Sequence, residues 1–255
     1  MKEVEPVTYS NNPMLSIIVP TLREAPNIPI LTEEISIAIG QVIPSWELII
    51  VDDNSGDGIV GVCDKLRRDG APLRLIVRKN ETGLATAVLK GFDVARASIF
   101  VVMDADLSHP CSIIPMFYRE IQNGADFVIG SRYMPGGGTD DKWTVLRFIN
   151  SKIATLLAMP LISASDPMSG FFALRRSLWK RCEKLSPLGY KVGLELIVKG
   201  KPKNLQEVPI YFRTRKFGES KLSTRQQLLY IRHLIRLYTY KWHTDWRNNL
   251  TRILH

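Results

Sequence analysis

Asp104 and Asp106 stand one residue apart, just after an apolar run that ends at Met103. Where a strand breaks into a turn, both carboxylates can approach one hard cation. Oxygen ligands select Mg²⁺ or Mn²⁺, and such an ion is typically held by one or two carboxylates while substrate phosphates complete its shell. Asp-x-Asp alone is a weak pattern, because Asp106 serves equally as a helix cap and Asp104 as a turn residue. Its company gives it weight. Asp53 and Glu24 end two other apolar runs, where each could accept hydrogen bonds from a nucleobase or cap the next helix. Arg132, in Gly-Ser-Arg-Tyr, brings a planar, permanently charged donor suited to a phosphate or to one of the site's own carboxylates. Further on, Arg215, Lys216 and Lys221 with Ser220 surround Gly218, as in a loop that closes on phosphate oxygens; taken alone, the same run reads as a solvated basic face.

These residues need a scaffold that brings them to one edge. Short β-branched runs, Leu15–Val19, Trp46–Val51, Leu73–Val77, Ser98–Met103 and Phe127–Ile129, alternate with helical spacing over Asn27–Gly40, Asp57–Gly70, Thr86–Ala97 and Ser112–Asn123. The alternation predicts an open, mostly parallel, doubly wound α/β sheet with crossover helices. In such a sheet ligands bind beyond the carboxyl ends of the strands, which is where Glu24, Asp53, Asp104, Asp106 and Arg132 fall. The run Met134–Lys142, with Pro135 and three glycines, reads as a loop.

At 255 residues and 45 % hydrophobic content the chain can bury a full core. No apolar run reaches the roughly 18 residues a membrane span needs. Met1–Pro13 lacks the basic start and apolar stretch of a secretory signal, and three cysteines without metal-ligand spacing fit reduced thiols, so the expected compartment is the cytoplasm. The net charge of +9 is unevenly spread: from Tyr211 to His255 there are ten Lys and Arg against two acids. A near-neutral body with a basic end points to an anionic surface or phosphate site there, and away from a groove that tracks a nucleic acid.

From Thr224 to Trp242, Leu228, Ile231, Leu234, Ile235, Tyr238 and Trp242 share one helical face and Arg225, Arg232 and Arg236 another. With Trp242 and Trp246, that is the pattern of an interfacial helix, and equally of a helix packed on the catalytic domain. The expected organisation is an arm over 1–13, a catalytic domain over 14–222 and a basic amphipathic helical tail over 223–255, peripheral at the cytoplasmic face of a membrane.

The ordered series Val-Pro-Thr-x-x-Glu (Val19–Glu24), Val-Asp-Asp-Asn-Ser (Val51–Ser55), Asp-Ala-Asp-Leu-Ser-His-Pro (Asp104–Pro110), Gly-Ser-Arg-Tyr, Asp-Pro-Met-Ser-Gly-Phe (Asp166–Phe171) and Arg-x-x-Gly-Glu-Ser-Lys-Leu resembles the dolichol-phosphate mannose synthases of glycosyltransferase family 2. The resemblance runs from about Leu15 to Leu222. It implies an A-type glycosyltransferase fold and inverting transfer of mannose from GDP-mannose to a polyprenyl phosphate. It puts Pro20, Leu22, Glu24, Val51 and Asp53 around the nucleotide, Asp104, Ala105, Asp106 and Ser108 at the metal and diphosphate, and Arg132, Arg215 and Lys221 among the phosphates. Leu22 stands where many relatives have Tyr, and Ser108 where some have Gln.

No Ser/His/Asp or Cys/His arrangement is evident, as expected when the acceptor's own phosphate attacks. His109 reads as a helix-start or supporting residue rather than a base. Two rival readings keep part of this evidence: a UDP-glucose-dependent polyprenyl-phosphate glucosyltransferase on the same fold, and a non-catalytic lipid- or nucleic-acid-binding module that works through its basic tail.

Overall fold

The structure is a computed structural model that describes residues 12–40, 42–140, 145–182, 185, 191–214 and 224–253. All five expected strands form: β1 (Leu15–Thr21), β2 (Trp46–Asp52), β3 (Leu73–Val77), β4 (Ile99–Val102) and β5 (Phe127–Ser131). So do the four helices: α1 (Ile28–Ile39), α2 (Ile59–Arg68), α3 (Leu84–Val94) and α4 (Ile114–Gln122). The third is displaced from its expected span. It starts at Leu84 and ends at Val94, because Ala95 turns into extended backbone without any glycine stop.

The second half holds elements that hydropathy patterning did not reveal: β6 (Gly138–Thr139), α5 (Val145–Ala158), β7 (Phe172–Arg175), α6 (Arg176–Arg181), α7 (Val192–Gly200), β8 (Leu205–Pro209) and β9 (Tyr211–Phe212). The strand β6 falls inside Met134–Lys142, which reads as pure loop in the sequence; it pairs with β9 apart from the main sheet. A long helix, α8 (Thr224–Ile253), follows.

Seven strands form the main sheet in the order β3-β2-β1-β4-β7-β5-β8. Pairing is parallel except at β7, which runs antiparallel between β4 and β5. Strand side chains alternate between two cores, as a period of two requires. Leu15, Ile17 and Val19 join α1, α2 and α4 on one face; Ile18, Phe100 and Val102 join α3, α7 and α8 on the other. Because both faces are covered, β1 and β4 read as continuous apolar runs.

Strand order reverses between β1 and β4, which opens a crevice at their carboxyl ends. The antiparallel β7 matters most for what lies in it. Phe172, its first residue, pairs with Val102 and with Ile129, so the chain entering β7 arrives at the same edge that β4 and β5 leave.

The expected apolar face of the tail helix splits in two. Leu234, placed on that face from its spacing, is buried against the domain with Tyr230 and Leu237, while Leu228, Ile231, Ile235, Tyr238 and Trp242 stay exposed. Thirty residues of helix have room for two apolar stripes, and the tighter one joins the core formed with α7 and the end of α5. Tyr230 Oη donates to the Ala154 carbonyl at 2.6 Å and Tyr238 Oη to that of Leu157 at 2.8 Å. Lys241 Nζ donates to the carbonyls of Pro160 and Leu161, just past the end of α5, where backbone acceptors lack helical partners.

Close packing of α3 on β1 depends on Gly91. A Cβ there would collide with Cγ2 of Ile18 and lie 3.1 Å from its Cγ1. Gly91→Ala should therefore lower stability by about 1–3 kcal/mol, the usual cost of overpacking, as read from a denaturant melt. A variant as stable as the wild type would show that the helix can move away at no cost.

Candidate active site

Each loop at the carboxyl edge is drawn tight by its own polar residues. After β1 and β2, Asp52 accepts hydrogen bonds from Thr21 Oγ1, Ser55 N and Ser55 Oγ, while Ser55 Oγ accepts from Arg23 N. After β4, one oxygen of Asp106 accepts from Ser108 N at 3.1 Å and from its hydroxyl at 2.5 Å. Three non-glycine residues in these loops, Arg23, Asn54 and Leu107, hold φ of 60°, 53° and 63°. Left-handed backbone at non-glycine residues costs about 1–3 kcal/mol each and concentrates at functional sites.

Asp104 and Asp106 stand in the loop directly beyond β4, with Asp106 buried and Asp104 partly open. Asp104 is held by His109, whose Nδ1 accepts the Asp104 backbone N–H at 3.0 Å. The His109 ring stacks on Phe171 and meets Phe212 edge-on, and only 2 % of the residue is exposed. Burial pushes its pKa down despite the carboxylates of Asp104 and Asp106 nearby. A neutral imidazole with Nδ1 committed as acceptor supports the loop, as expected for this histidine.

Arg132 leaves β5 at the same edge and meets Asp166, which arrives ahead of β7. Its Nε and Nη2 donate to the two oxygens of Asp166 at 2.7 and 2.8 Å, and its backbone N–H adds a third bond at 3.1 Å. The Asp166 side chain is fully buried and that of Arg132 is 10 % exposed. Burial alone would raise the Asp166 pKa, but the hydrogen bonds and charge of Arg132 outweigh it and hold the carboxyl below its ordinary value. Of the two partners expected for Arg132, the structure thus provides the carboxylate. Glu207 on β8 orients the turn by accepting from Ser165 N, Ser165 Oγ and Asp166 N.

The structure brings together Asp104, Asp106, Ser108 and Arg132 at one edge, and Ala105 and Ser108 are buried. Pro20, Val51 and Leu22, the residues expected around the nucleotide, sit at the ends of β1 and β2, with Leu22 40 % exposed. Both Asp53 oxygens are engaged within the protein: Oδ1 accepts from the buried Arg78 guanidinium and Oδ2 from Gly83 N at 2.7 Å. Glu24 precedes the short turn Ala25–Asn27 and accepts from Asn27 Nδ2 at 2.7 Å, a side-chain bond and not the backbone cap that competed with base recognition. Arg215, Ser220 and Lys221 lie outside the described residues, so their expected place among the phosphates belongs to the proposal below.

Lys191 was missed by sequence reasoning. It caps α7, and its Nζ donates to the Met168 carbonyl at 2.5 Å, inside the turn that carries Asp166. Burial, and then the charge of Arg132, pull its pKa down to about 8. Arg78 and Glu207 were missed too; none of the three belongs to a motif, and only the fold brings them to the site.

A sheet of this order, with an acidic pair at its switch point and an antiparallel strand delivering a third acid, defines an A-type glycosyltransferase. The family model for glycosyl transferase family 2 matches residues 16–182. The chain is 42 % identical over 234 residues to the dolichol-phosphate mannosyltransferase of Saccharomyces cerevisiae, covering 89 % of this chain and 87 % of that protein. It is 39 % identical to the dolichol-phosphate mannosyltransferase of Pyrococcus furiosus over 91 % of this chain and 65 % of that protein. Among solved structures, glucosyl-3-phosphoglycerate synthase from Mycobacterium tuberculosis, in complex with Mn²⁺, UDP and glucosyl-3-phosphoglycerate, superposes with a TM-score of 0.63 at 17 % identity, over 90 % of this chain and 80 % of that one. The chain belongs to glycosyltransferase family 2.

His109 and His233 both predict a pH effect on stability. Both are buried, burial lowers both pKa values, and His233 Nε2 has no hydrogen-bond partner among the described residues. As pH falls below about 6.5 the unfolded chain takes up these protons before the folded one does, so stability present at neutral pH is lost toward the histidines' folded values. The loss should be at most about 1.4 kcal/mol per pH unit for each histidine. Calorimetric melting between pH 7.5 and 5 should show a falling midpoint, flattened in His233→Leu; a level profile for the wild type would contradict both assignments.

Proposed function

We propose that this protein transfers mannose from GDP-mannose to the phosphate of a dolichyl-type polyprenyl phosphate, with inversion at the anomeric carbon, at an anionic membrane surface. One observation carries the reading. In a chain 42 % identical to a dolichol-phosphate mannosyltransferase, the Asp104–Asp106 pair and the Arg132–Asp166 pair share one edge of the sheet.

Asp104 and Asp106 fit a hard divalent cation, Mg²⁺ or Mn²⁺. Gly170 leaves the Asp104 carboxylate uncovered, since a Cβ there would lie 3.7 and 3.8 Å from its two oxygens. Among the described residues no three His, Cys, Asp or Glu groups form an all-protein metal cage, which suits an ion that shares its shell with substrate phosphates. When bound, the cation supplies Lewis-acid stabilisation to the departing diphosphate.

The chain's own residues do the rest. The attacking oxygen belongs to a phosphate monoester, whose second pKa near ~6 leaves it largely dianionic at neutral pH, so no general base is needed. That agrees with His109, whose Nδ1 is occupied by Asp104 N–H. Arg132, with Arg215 and Lys221, offsets the charge of two converging phosphates. Asp166 presents the Arg132 guanidinium in a fixed plane, so little reorganisation is needed as charge develops. Pro20, Leu22, Glu24, Val51 and Asp53 receive the nucleoside, with Ala105 and Ser108 beside the diphosphate.

The membrane side is the surface shared by α5 and α8. Ile153, Leu156, Leu157 and Met159 on α5 are exposed, as are Leu228, Ile231, Ile235 and Trp242 on α8, while Arg232 and Arg236 stand exposed beside them. The side chains of Arg225 and Trp246 lie outside the described residues. Apolar residues flanked by arginines suit a peripheral contact with anionic headgroups, each cation adding about 1 kcal/mol. No described helix is long and apolar enough to cross a membrane.

Incubation with radiolabelled GDP-mannose and a short polyprenyl phosphate, followed by lipid extraction, tests the activity. Asp106→Asn should lower transfer at least about 1,000-fold with little loss of fold, and full activity in that variant would refute the assignment. Replacing Leu156, Ile235 and Trp242 with Ser should weaken co-sedimentation with phosphatidylserine vesicles at least about tenfold and leave the KM for GDP-mannose unchanged. Undiminished co-sedimentation would place the membrane contact elsewhere.

A further inference from the structure

Asn27, at the start of α1, is only 1 % exposed, and the two ends of its amide are treated differently. Its Nδ2 donates to Oε2 of Glu24 at 2.7 Å, whereas its Oδ1 has no hydrogen-bond partner among the described residues. Chemistry sets this direction: a carboxylate accepts and does not donate, so the amide must turn its NH2 toward Glu24 and enclose its oxygen. An enclosed acceptor without a partner costs about 1–3 kcal/mol. An apolar side chain of the same size would avoid that cost.

Helix capping does not account for the asparagine. It occupies the N-cap position of α1, where this residue type is favoured, yet its side chain makes no capping bond. Its backbone is already helical, at φ −81° and ψ −27°, since the turn Ala25–Asn27 runs directly into α1, and Pro29 lacks one of the N–H groups that a cap would accept from. What the amide does hold is Glu24, whose backbone is pinned on both sides by the loop after β2. Arg23 N donates to Ser55 Oγ at 2.8 Å and Ala25 N to Asp57 Oδ2 at 2.9 Å. Glu24 itself is half-buried and keeps part of its surface open.

We propose that Asn27 is a positioning residue for the sugar donor: its amide fixes the Glu24 carboxylate in the orientation that receives the nucleobase. This rests on reading Glu24 as one of the groups around the nucleotide. A glutamate side chain loses rotamer freedom when it is fixed on a ligand. With one oxygen already held by Asn27 and the backbone held by Ser55 and Asp57, that freedom is lost on folding, so the donor binds without it opposing the contact. Asn27 is enclosed and acts through Glu24, so it bears on how tightly the donor is seated and not on the chemistry at Asp104 and Arg132.

The test uses the full chain with Asn27→Leu, which matches the amide in size and removes both its donor and its unmet acceptor. Calorimetric binding of GDP in the presence of Mg²⁺ should weaken about tenfold, and the KM for GDP-mannose should rise by a similar factor with kcat within about twofold of wild type. The melting midpoint should fall by no more than about 3 °C. In a Glu24→Ala background, Asn27→Leu should bring no further loss of GDP binding, because a residue that acts through Glu24 has nothing left to orient. A folded Leu variant that binds GDP as the wild type does, while Glu24→Ala binds it weakly, overturns the proposal and leaves the reading of Glu24 intact. So does a loss in the double variant equal to the sum of the single losses, or a fall in kcat that accompanies a large drop in melting midpoint, which marks a purely structural asparagine. Should the Leu variant fail to fold, Asn27→Ala decides by the same measurements. Unchanged GDP binding in Glu24→Ala alone would remove the reading of Glu24, and the proposal with it.

Discussion

The half of the carboxyl edge where β5, β7 and β8 meet depends on the ion pair between Arg132 and Asp166. Two hydrogen bonds fix the guanidinium in one plane, and a third, from the Arg132 backbone, ties the end of β5 to the turn before β7. A pair this deeply buried contributes little net stability over an apolar substitute, yet removing one partner costs about 3–5 kcal/mol through the charge left behind. Its value is positional. The antiparallel register of β7 brings Asp166 within reach, and Glu207 on β8 holds the turn from the far side. Strands β5, β7 and β8 therefore act as one frame whose product is the orientation of a single arginine.

A similar economy governs the acidic pair. Asp106 spends one oxygen on Ser108, which stabilises the left-handed Leu107 and fixes the loop, while Asp104 is steered through its backbone by His109. His109 is clamped in turn between Phe171 and Phe212, from segments 62 and 103 residues away in the chain, by the sequence numbering. Strain in a loop persists only where its surroundings over-determine it. Here the loops after β1 and β2 bind each other through Asp52 and Ser55, and the loop after β4 is bound by aromatic packing. Rigid loops on a twisted sheet give an electrostatic site that needs little reorganisation when phosphates arrive.

The first half of this architecture was legible because local pattern and tertiary role coincide there. Buried parallel strands read as apolar runs, and ligand-edge acids follow them directly, so Asp53, Asp104 and Asp106 could be placed from spacing alone. The second half was not legible, for physical reasons. The strand β7 has four residues and ends in Arg175; β8 is a partly exposed edge strand ending in Pro209, with Gln206 and Glu207 in its middle. Neither alternates strongly enough to stand out. Asp166 came from resemblance, and Lys191 from nothing in the sequence, since a lysine before a helix looks like any solvated cap. On α8 the spacing placed Leu234 with the exposed set, because helical periodicity gives relative angles and not which of two apolar stripes meets the domain.

That second stripe bears on how the two halves of the reaction meet. A polyprenyl phosphate presents its charge at the end of a chain that water excludes, so the enzyme must hold apolar surface and phosphate-binding cations in one rigid body. In the proposed reading the exposed residues of α5 and α8 are that apolar surface, and Tyr230, Tyr238 and Lys241 bolt the helices together by donating to carbonyls of α5 and the turn after it. The link to the chemistry is Tyr133, whose ring lies 3.6 Å from Lys152 Nζ on α5 and 5.2 Å from the Arg132 guanidinium. A cation held against an aromatic ring is stabilised by about 0.5–2 kcal/mol. Through Tyr133 α5 is registered against Arg132, and with α5 the helix α8 that is bolted to it, so the exposed apolar surface of both helices and the carboxyl edge of the sheet hold fixed positions relative to each other.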